Sequence, residues 1–282
     1  MNRFALVPVL SILLLLSACT RSTDVLPDSA AGALDTEQKL NAVLQGEHRS
    51  EGNKARDAFR NPVETLQFFG LEPDMTVVEI TPGGGWYTEI LAPFLREEGT
   101  YIAAGFDPES PRDYHRTLYA RFADKLAEHP DIYDHSVITV FDPEAGRDIA
   151  PAGSADMVLS FRNVHGWVRG GTAEEAFEVF FTALKPGGTL GVVAHRADPE
   201  TPHDPEVASG YLHESLVISL AEDAGFTLVD SSEINANPLD TRDHPRGVWT
   251  LPPNLRLGEE DREKYLAIGE SDRMTLKFRK PE

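Results

Sequence analysis

The chain has 282 residues, 41% of them hydrophobic, which suits one large α/β domain with a sizeable core. Forty-six acidic residues against 26 basic ones give a formal net charge of −20, which repels phosphate backbones and argues against nucleic acid as a partner. The one cysteine, Cys19, rules out an intrachain disulfide.

At the N-terminus Arg3 supplies a positive charge, and an apolar run from Phe4 to Leu16 is short for a permanent bilayer span. The run ends in Leu16-Ser17-Ala18-Cys19, which resembles a bacterial lipobox. The resemblance implies a signal peptide over residues 1–18, cleaved before Cys19, with acyl chains on Cys19 as lipid attachment to a membrane. Thr20, where an aspartate would mark inner-membrane retention, implies the outer membrane on its periplasmic side. An ordinary signal peptide or an uncleaved anchor is the alternative. Residues 20–33 are polar, small and aperiodic, and Leu40, Val43 and Leu44 give a weak helical pattern, so residues 19–47 are expected to form a tether.

Asn61 as N-cap and Pro62 at the first helical position predict a helix with Val63, Leu66 and Phe69 on its buried face and Gly70 at its end. Arg56 and Arg60 precede it, free either to bind a ligand or to pair with Asp57 or Glu64 at the surface. Val77, Val78 and Ile80 then form a buried strand. Thr81-Pro82-Gly83-Gly84-Gly85 follows as a tight turn where backbone and ligand can approach closely. Trp86, Ile90 and Phe94 continue at helical spacing, so the helix start points free N–H groups over the strand end.

Further strands are expected at Thr100–Phe106, Ser136–Phe141 and Ala155–Phe161, the first followed by Asp107-Pro108 and the second by Asp142-Pro143. Tyr114, Leu118, Phe122 and Leu126 mark an amphipathic helix between them. Past the fourth strand comes Arg162-Asn163-Val164-His165-Gly166-Trp167, and a helix with Ala176, Phe177, Phe180 and Leu184 on one face. Lys185-Pro186-Gly187-Gly188 predicts a tight turn into a fifth strand ending at His195. Leu212, Leu216 and Leu220 form another stripe, and a sixth strand runs from Phe226 to Ile234. Residues 235–272 are too long for a simple connection and read as a substrate-shaping insertion. Met274–Arg279 alternates and is expected to close the sheet as an antiparallel edge. His195, His203 and His213 with Asp198 or Asp204 fit no short zinc motif, so no metal is expected.

The stretch Glu79-Ile80-Thr81-Pro82-Gly83-Gly84-Gly85-Trp86-Tyr87-Thr88-Glu89-Ile90-Leu91 resembles motif I of the class I S-adenosylmethionine (SAM)-dependent methyltransferases, an acidic residue followed by Gly-x-Gly-x-Gly. Glu79 matches the acidic residue and Gly83 and Gly85 the last two glycines; Thr81 stands in place of the first. Leu184-Lys185-Pro186-Gly187-Gly188 is a second resemblance, and the order of elements is similar to a group of exported methyltransferases from about residue 48 to 282. The resemblance implies a Rossmann-like α/β fold: a seven-stranded, mostly parallel sheet with an antiparallel last strand and helices on both faces.

It also implies SAM as cofactor, held by Glu79, Pro82, Gly83, Gly84, Gly85 and Tyr87. Asp107 would serve the ribose, although the usual place lies nearer Gly105. Asp142 would lie by the adenine, and Arg56 or Arg60 at the cofactor's carboxylate. In this family the end of the fourth strand faces the methyl group. That makes His165 the candidate base, Asn163 the residue orienting the acceptor, and Trp167 and His195 the walls of its pocket. The chain thus reads as an exported, lipid-anchored methyltransferase acting on a small molecule or an envelope component. A methyltransferase-like envelope protein that is non-catalytic or binds another ligand is the alternative.

Overall fold

The computed structural model describes Met1 and residues 28–282. The expected signal peptide beyond Met1, Cys19 and the first part of the expected tether lie outside the described residues.

Seven strands form one sheet: β1 (Thr76–Ile80), β2 (Thr100–Gly105), β3 (Val137–Val140), β4 (Ala155–Phe161), β5 (Leu184–His195), β6 (Thr227–Ser232) and β7 (Arg273–Arg279). Their order is β3-β2-β1-β4-β5-β7-β6. The β1–β5 strands pair in parallel, and β7 runs antiparallel to both β5 and β6. The strand order reverses at β1 and β4, which lie side by side with Ile80 opposite Ser160. Such a switch point leaves a crevice beyond the carboxyl ends of the strands.

Both faces of the central strands are apolar because both are covered. On one face Val78, Ile80, Val158 and Val192 meet Phe177 and Phe180 of the helix Ala173–Ala183 and Val217 and Ala221 of the helix Glu214–Asp223. On the other, Val77, Leu159 and Val193 meet Leu66 and Phe69 of Pro62–Phe69 and Ile90, Leu91 and Phe94 of Thr88–Leu95. Ile90 and Phe94 are wholly buried, each contributing about 2–3 kcal/mol of apolar transfer. The helix Asp28–Leu44 adds Leu40 and Leu44 to this second layer.

Three local expectations change. Asn61 adopts φ +40 and makes no cap hydrogen bond; its amide donates instead to the Ile234 carbonyl. Lys185-Pro186-Gly187-Gly188 is the bulged start of β5 rather than a tight turn, with Gly187 N–H donating to the Lys280 carbonyl. The last strand is not an edge: β7 is inserted between β5 and β6, and β6 is the outer strand. Residues 235–272 contain a short 3-10 turn (Gly247–Thr250) and a helix (Arg262–Ile268).

Candidate functional site

Two connected chambers open over the switch point. The inner one, about 270 Å³, lies over the ends of β1 and β4 and is lined by Arg56, Arg60, the glycine turn, Arg162, His165, His195, Trp249 and Asn254, among others. The outer one, about 860 Å³, lies over the ends of β2 and β3, with Phe106, Asp107, His115, Asp142 and Trp167 in its wall. Thr81, Arg162, Asn163 and His165 line both and so stand at their junction.

The turn after β1 is built to leave backbone exposed. Gly83 (φ +61) and Gly84 would meet nothing within 4 Å if given a Cβ. Among the described residues their N–H groups donate to no protein acceptor. Thr81, in the place of the first glycine, takes φ +47, the left-handed conformation that a glycine supplies without strain. A β-branched residue there costs about 1–3 kcal/mol. Its N–H is fixed on the Ala104 carbonyl at 2.7 Å.

The sequence-predicted residues divide between the chambers. Pro82, Gly83, Gly84, Tyr87 and His195 line the inner one, and Asp107, Asp142 and Trp167 the outer one. Gly85 lines neither: a Cβ there would meet Lys125 Cε at 3.0 Å, so its small size serves packing. Glu79 borders the inner chamber, but its carboxylate turns beneath the turn, accepting from Thr88 Oγ1 (2.9 Å) and Tyr101 Oη. Burial raises it to about 7, against the pull of those two hydroxyls. Asp107 accepts from Glu109 N–H and pairs with Arg147 at 2.9 Å, and Arg147 also reaches Asp142 at 4.0 Å. Asn163 Nδ2 donates to the Ile80 carbonyl (2.7 Å), tying the ends of β4 and β1 and leaving its amide oxygen as the polar atom for a ligand. Trp167 packs on Phe141 and Phe180.

His165 and His195 come together, ring centroids 5.4 Å apart, with Trp249 5.8 Å from His165 and His195 Nδ1 on Ser271 Oγ at 2.6 Å. Burial, then Arg169 and Arg162, push His165 down to about 4. Burial, His165 and three arginines hold His195 well below the usual imidazole range. Both rings are therefore neutral at pH 7. A depressed folded value adds stability above the unfolded value of about 6.5 and loses it as pH falls towards 4. His165→Gln should therefore lose about 3 kcal/mol less than the parent between pH 7 and pH 4 in urea titrations; parallel pH profiles would contradict the assignment.

The arginines were only half legible. Neither Arg56 nor Arg60 pairs with Asp57 or Glu64; Asp57 is gripped by Arg49 through two 2.7 Å hydrogen bonds. Instead Arg56 Nε (2.7 Å) and Arg60 Nε (3.1 Å) converge on Glu270, 214 and 210 residues downstream, where Arg273 Nη1 joins them at 3.3 Å from three residues further along. Burial would raise the Glu270 carboxyl, but Arg60, Arg273, Arg162 and Arg56 outweigh it and hold it at about 2. Arg162 (φ +64) makes no ion pair among the described residues. Burial foremost lowers it to about 10 and Arg60 to about 9, and both remain charged at pH 7. Glu270, Ser271 and Arg273 carry no local motif; only the folding of β7 brings them here.

No protein-family model matches the chain, and no curated protein matches it. Solved structures do. A SAM-dependent methyltransferase from Aquifex aeolicus matches at 18% identity and TM-score 0.50, over 71% of this chain and 93% of that one. The [4+2]-cyclase SpnF matches at 14% and 0.57, over 91% and 97%. Phosphoethanolamine N-methyltransferase 2 of Haemonchus contortus, in complex with SAM, matches at 15% and 0.54, over 86% and 60%. A cyclase among them shows that one fold carries more than one chemistry. What these likenesses establish is the architecture: a seven-stranded mixed sheet in the arrangement of the SAM-dependent methyltransferase fold.

Proposed function

We propose that this chain is a SAM-dependent methyltransferase acting on a small molecule or a cell-envelope component. One observation carries the reading: the open glycine turn borders the inner chamber, and its first residue, Thr81, stands at the junction with the outer one. Gly83 and Gly84 offer unfilled space and free amides to a ligand, and the outer chamber of about 860 Å³ accommodates a nucleoside. Asp107 and Asp142 stand in that wall for the ribose and the base, and Arg56 or Arg60 faces the amino-acid end.

When bound, SAM supplies an electrophilic methyl group on sulfur; the acceptor's lone pair takes the methyl, and the electron pair of the broken bond stays on sulfur as S-adenosylhomocysteine. The residues of the chain do the rest. Asn163 Oδ1 orients an acceptor donor group at the chamber junction. Where the acceptor sheds a proton, the neutral His165 ring receives it. Trp249 and Asn254, from the 235–272 segment, border the inner chamber and restrict water. Calorimetric titration of the detergent-purified full chain with SAM tests the reading: saturable one-to-one binding, competed by S-adenosylhomocysteine, is expected, and absence of heat with both sinks it.

The N-terminal sequence supports this reading's export and lipid attachment at Cys19, with the domain proposed to lie in the bacterial periplasm on the outer membrane. Cys19→Ala should move the protein from the membrane fraction to the soluble periplasmic fraction. A correctly cleaved variant that still sediments with membranes would refute lipid attachment.

A specific observation favours the second reading, a methyltransferase-like envelope protein with a different ligand. The inner chamber gathers more positive charge than a sulfonium-bearing ligand neutralises.

A further inference from the structure

The four guanidiniums of Arg56, Arg60, Arg162 and Arg273 face one carboxylate, Glu270. The two oxygens of Glu270 are consumed by three of them, and the consumption is incomplete. Arg60, only 1% exposed, spends Nε on Glu270 and leaves both Nη groups buried without an acceptor among the described residues; Arg56 Nη2 is buried in the same state. Arg162 has no carboxylate partner among the described residues. Three of the four side chains line the inner chamber. Buried N–H groups without acceptors are costly, and charged ones more so, so the chamber is organised for an anion that the described residues do not supply.

The amino-acid end of SAM does not meet that demand. Its single carboxylate satisfies one guanidinium, while its ammonium and sulfonium bring two further positive charges. With SAM bound, the excess of positive charge grows.

Resting on the methyltransferase reading, we infer that the methyl acceptor carries a carboxylate or phosphate, bound in the inner chamber by Arg162 and the free Nη groups of Arg60 and Arg56. The planar fork of a guanidinium matches either group with two parallel hydrogen bonds. The chamber's size, about 270 Å³ and shared with the end of the cofactor, restricts the anionic part of the acceptor to a small molecule or a terminal group. Because an anion and the cationic cofactor end offset each other's charge, each strengthens the binding of the other.

The experiment titrates inorganic phosphate and malonate calorimetrically into the full chain in detergent, at constant ionic strength, with and without saturating SAM. At least one of the two should bind, and at least about fivefold more tightly with SAM present. The tighter of the two names the acceptor's charged group. Arg162→Asn, which suits the left-handed backbone at φ +64, should weaken that binding about tenfold or more while the protein stays folded by circular dichroism. Arg162→Lys should restore part of it. Absence of binding by both probes, displacement of the probe by SAM, or indifference to Arg162→Asn would overturn the inference and leave the methyltransferase reading in place. Binding of the probes without any binding of SAM would remove that reading, and the acceptor role with it.

Discussion

Gly83→Asp should abolish SAM binding while the protein stays folded. Gly83 has φ +61 and open space where a Cβ would sit. Aspartate tolerates this conformation better than most residues, at a cost of about 1 kcal/mol. Its carboxylate then projects into the inner chamber, where the proposed reading puts the amino-acid end of SAM. There it competes for the guanidiniums that would hold that end, and it removes the room for it. A loss of about a hundredfold or more in affinity is expected, ~2.7 kcal/mol. The melting temperature should hold or rise, because the added carboxylate enters a chamber short of negative charge. Gly153→Asp is the matched control: φ is +65, a Cβ there also meets nothing, and the position borders neither chamber. Unchanged SAM affinity in the Gly83 variant would show that the cofactor does not lie over this turn.

The largest effect on stability should come from Glu270→Ala. Glu270 is 3% exposed and is the acceptor for three guanidiniums. Removing one partner of a buried ion pair leaves uncompensated charge and costs about 3–5 kcal/mol. The pH linkage gives a consistent figure. The carboxyl sits at about 2 in the fold against 4.5 when unpaired, worth about 3 kcal/mol near neutrality. Since the folded value is the lower one, that stability is present above pH 4.5 and disappears as pH falls towards 2. Urea midpoints at pH 7 should fall accordingly in the alanine variant, and its stability should change less than that of the parent between pH 4.5 and 2.5. A variant as stable as the parent at pH 7 would mean that the arginines are adequately solvated without Glu270.

The strands were legible because they are covered on both faces. Val77-Val78-Glu79-Ile80 and Ala155–Phe161 read as apolar runs, and β4 begins and ends where the sequence places it. The position of β7 was not legible. Alternation gives a strand and its two faces but says nothing about which neighbours it pairs with. The glycine turn was recognisable from Gly83 and Gly84, and Thr81 looked like a departure only because residue type was being compared. In conformation it takes φ +47, a region that a glycine enters without strain. Arg60 was visible as a cation near the site, whereas its partner lies 210 residues away. Arg162 stood beside two residues assigned roles and received none, because an arginine in a polar loop carries no spacing signal. His165 was expected to act as a base near neutral pH, and His195 to line the pocket. Their depressed values come from burial and from arginines that local sequence does not place beside them.

The position of β7 has a consequence for the order of assembly. The residues that gather the arginines, Glu270 to Arg273, belong to β7 and the bend leading into it, and β6 joins the sheet only through β7. A nascent chain emerging N-terminus first holds Arg56, Arg60 and Arg162 long before the carboxylate that reconciles them. Until the final residues emerge, their mutual repulsion opposes closure of the crevice. A fragment stopping short of Glu270 lacks the carboxylate that gathers the arginines, so the chamber is finished only once β7 has joined the sheet.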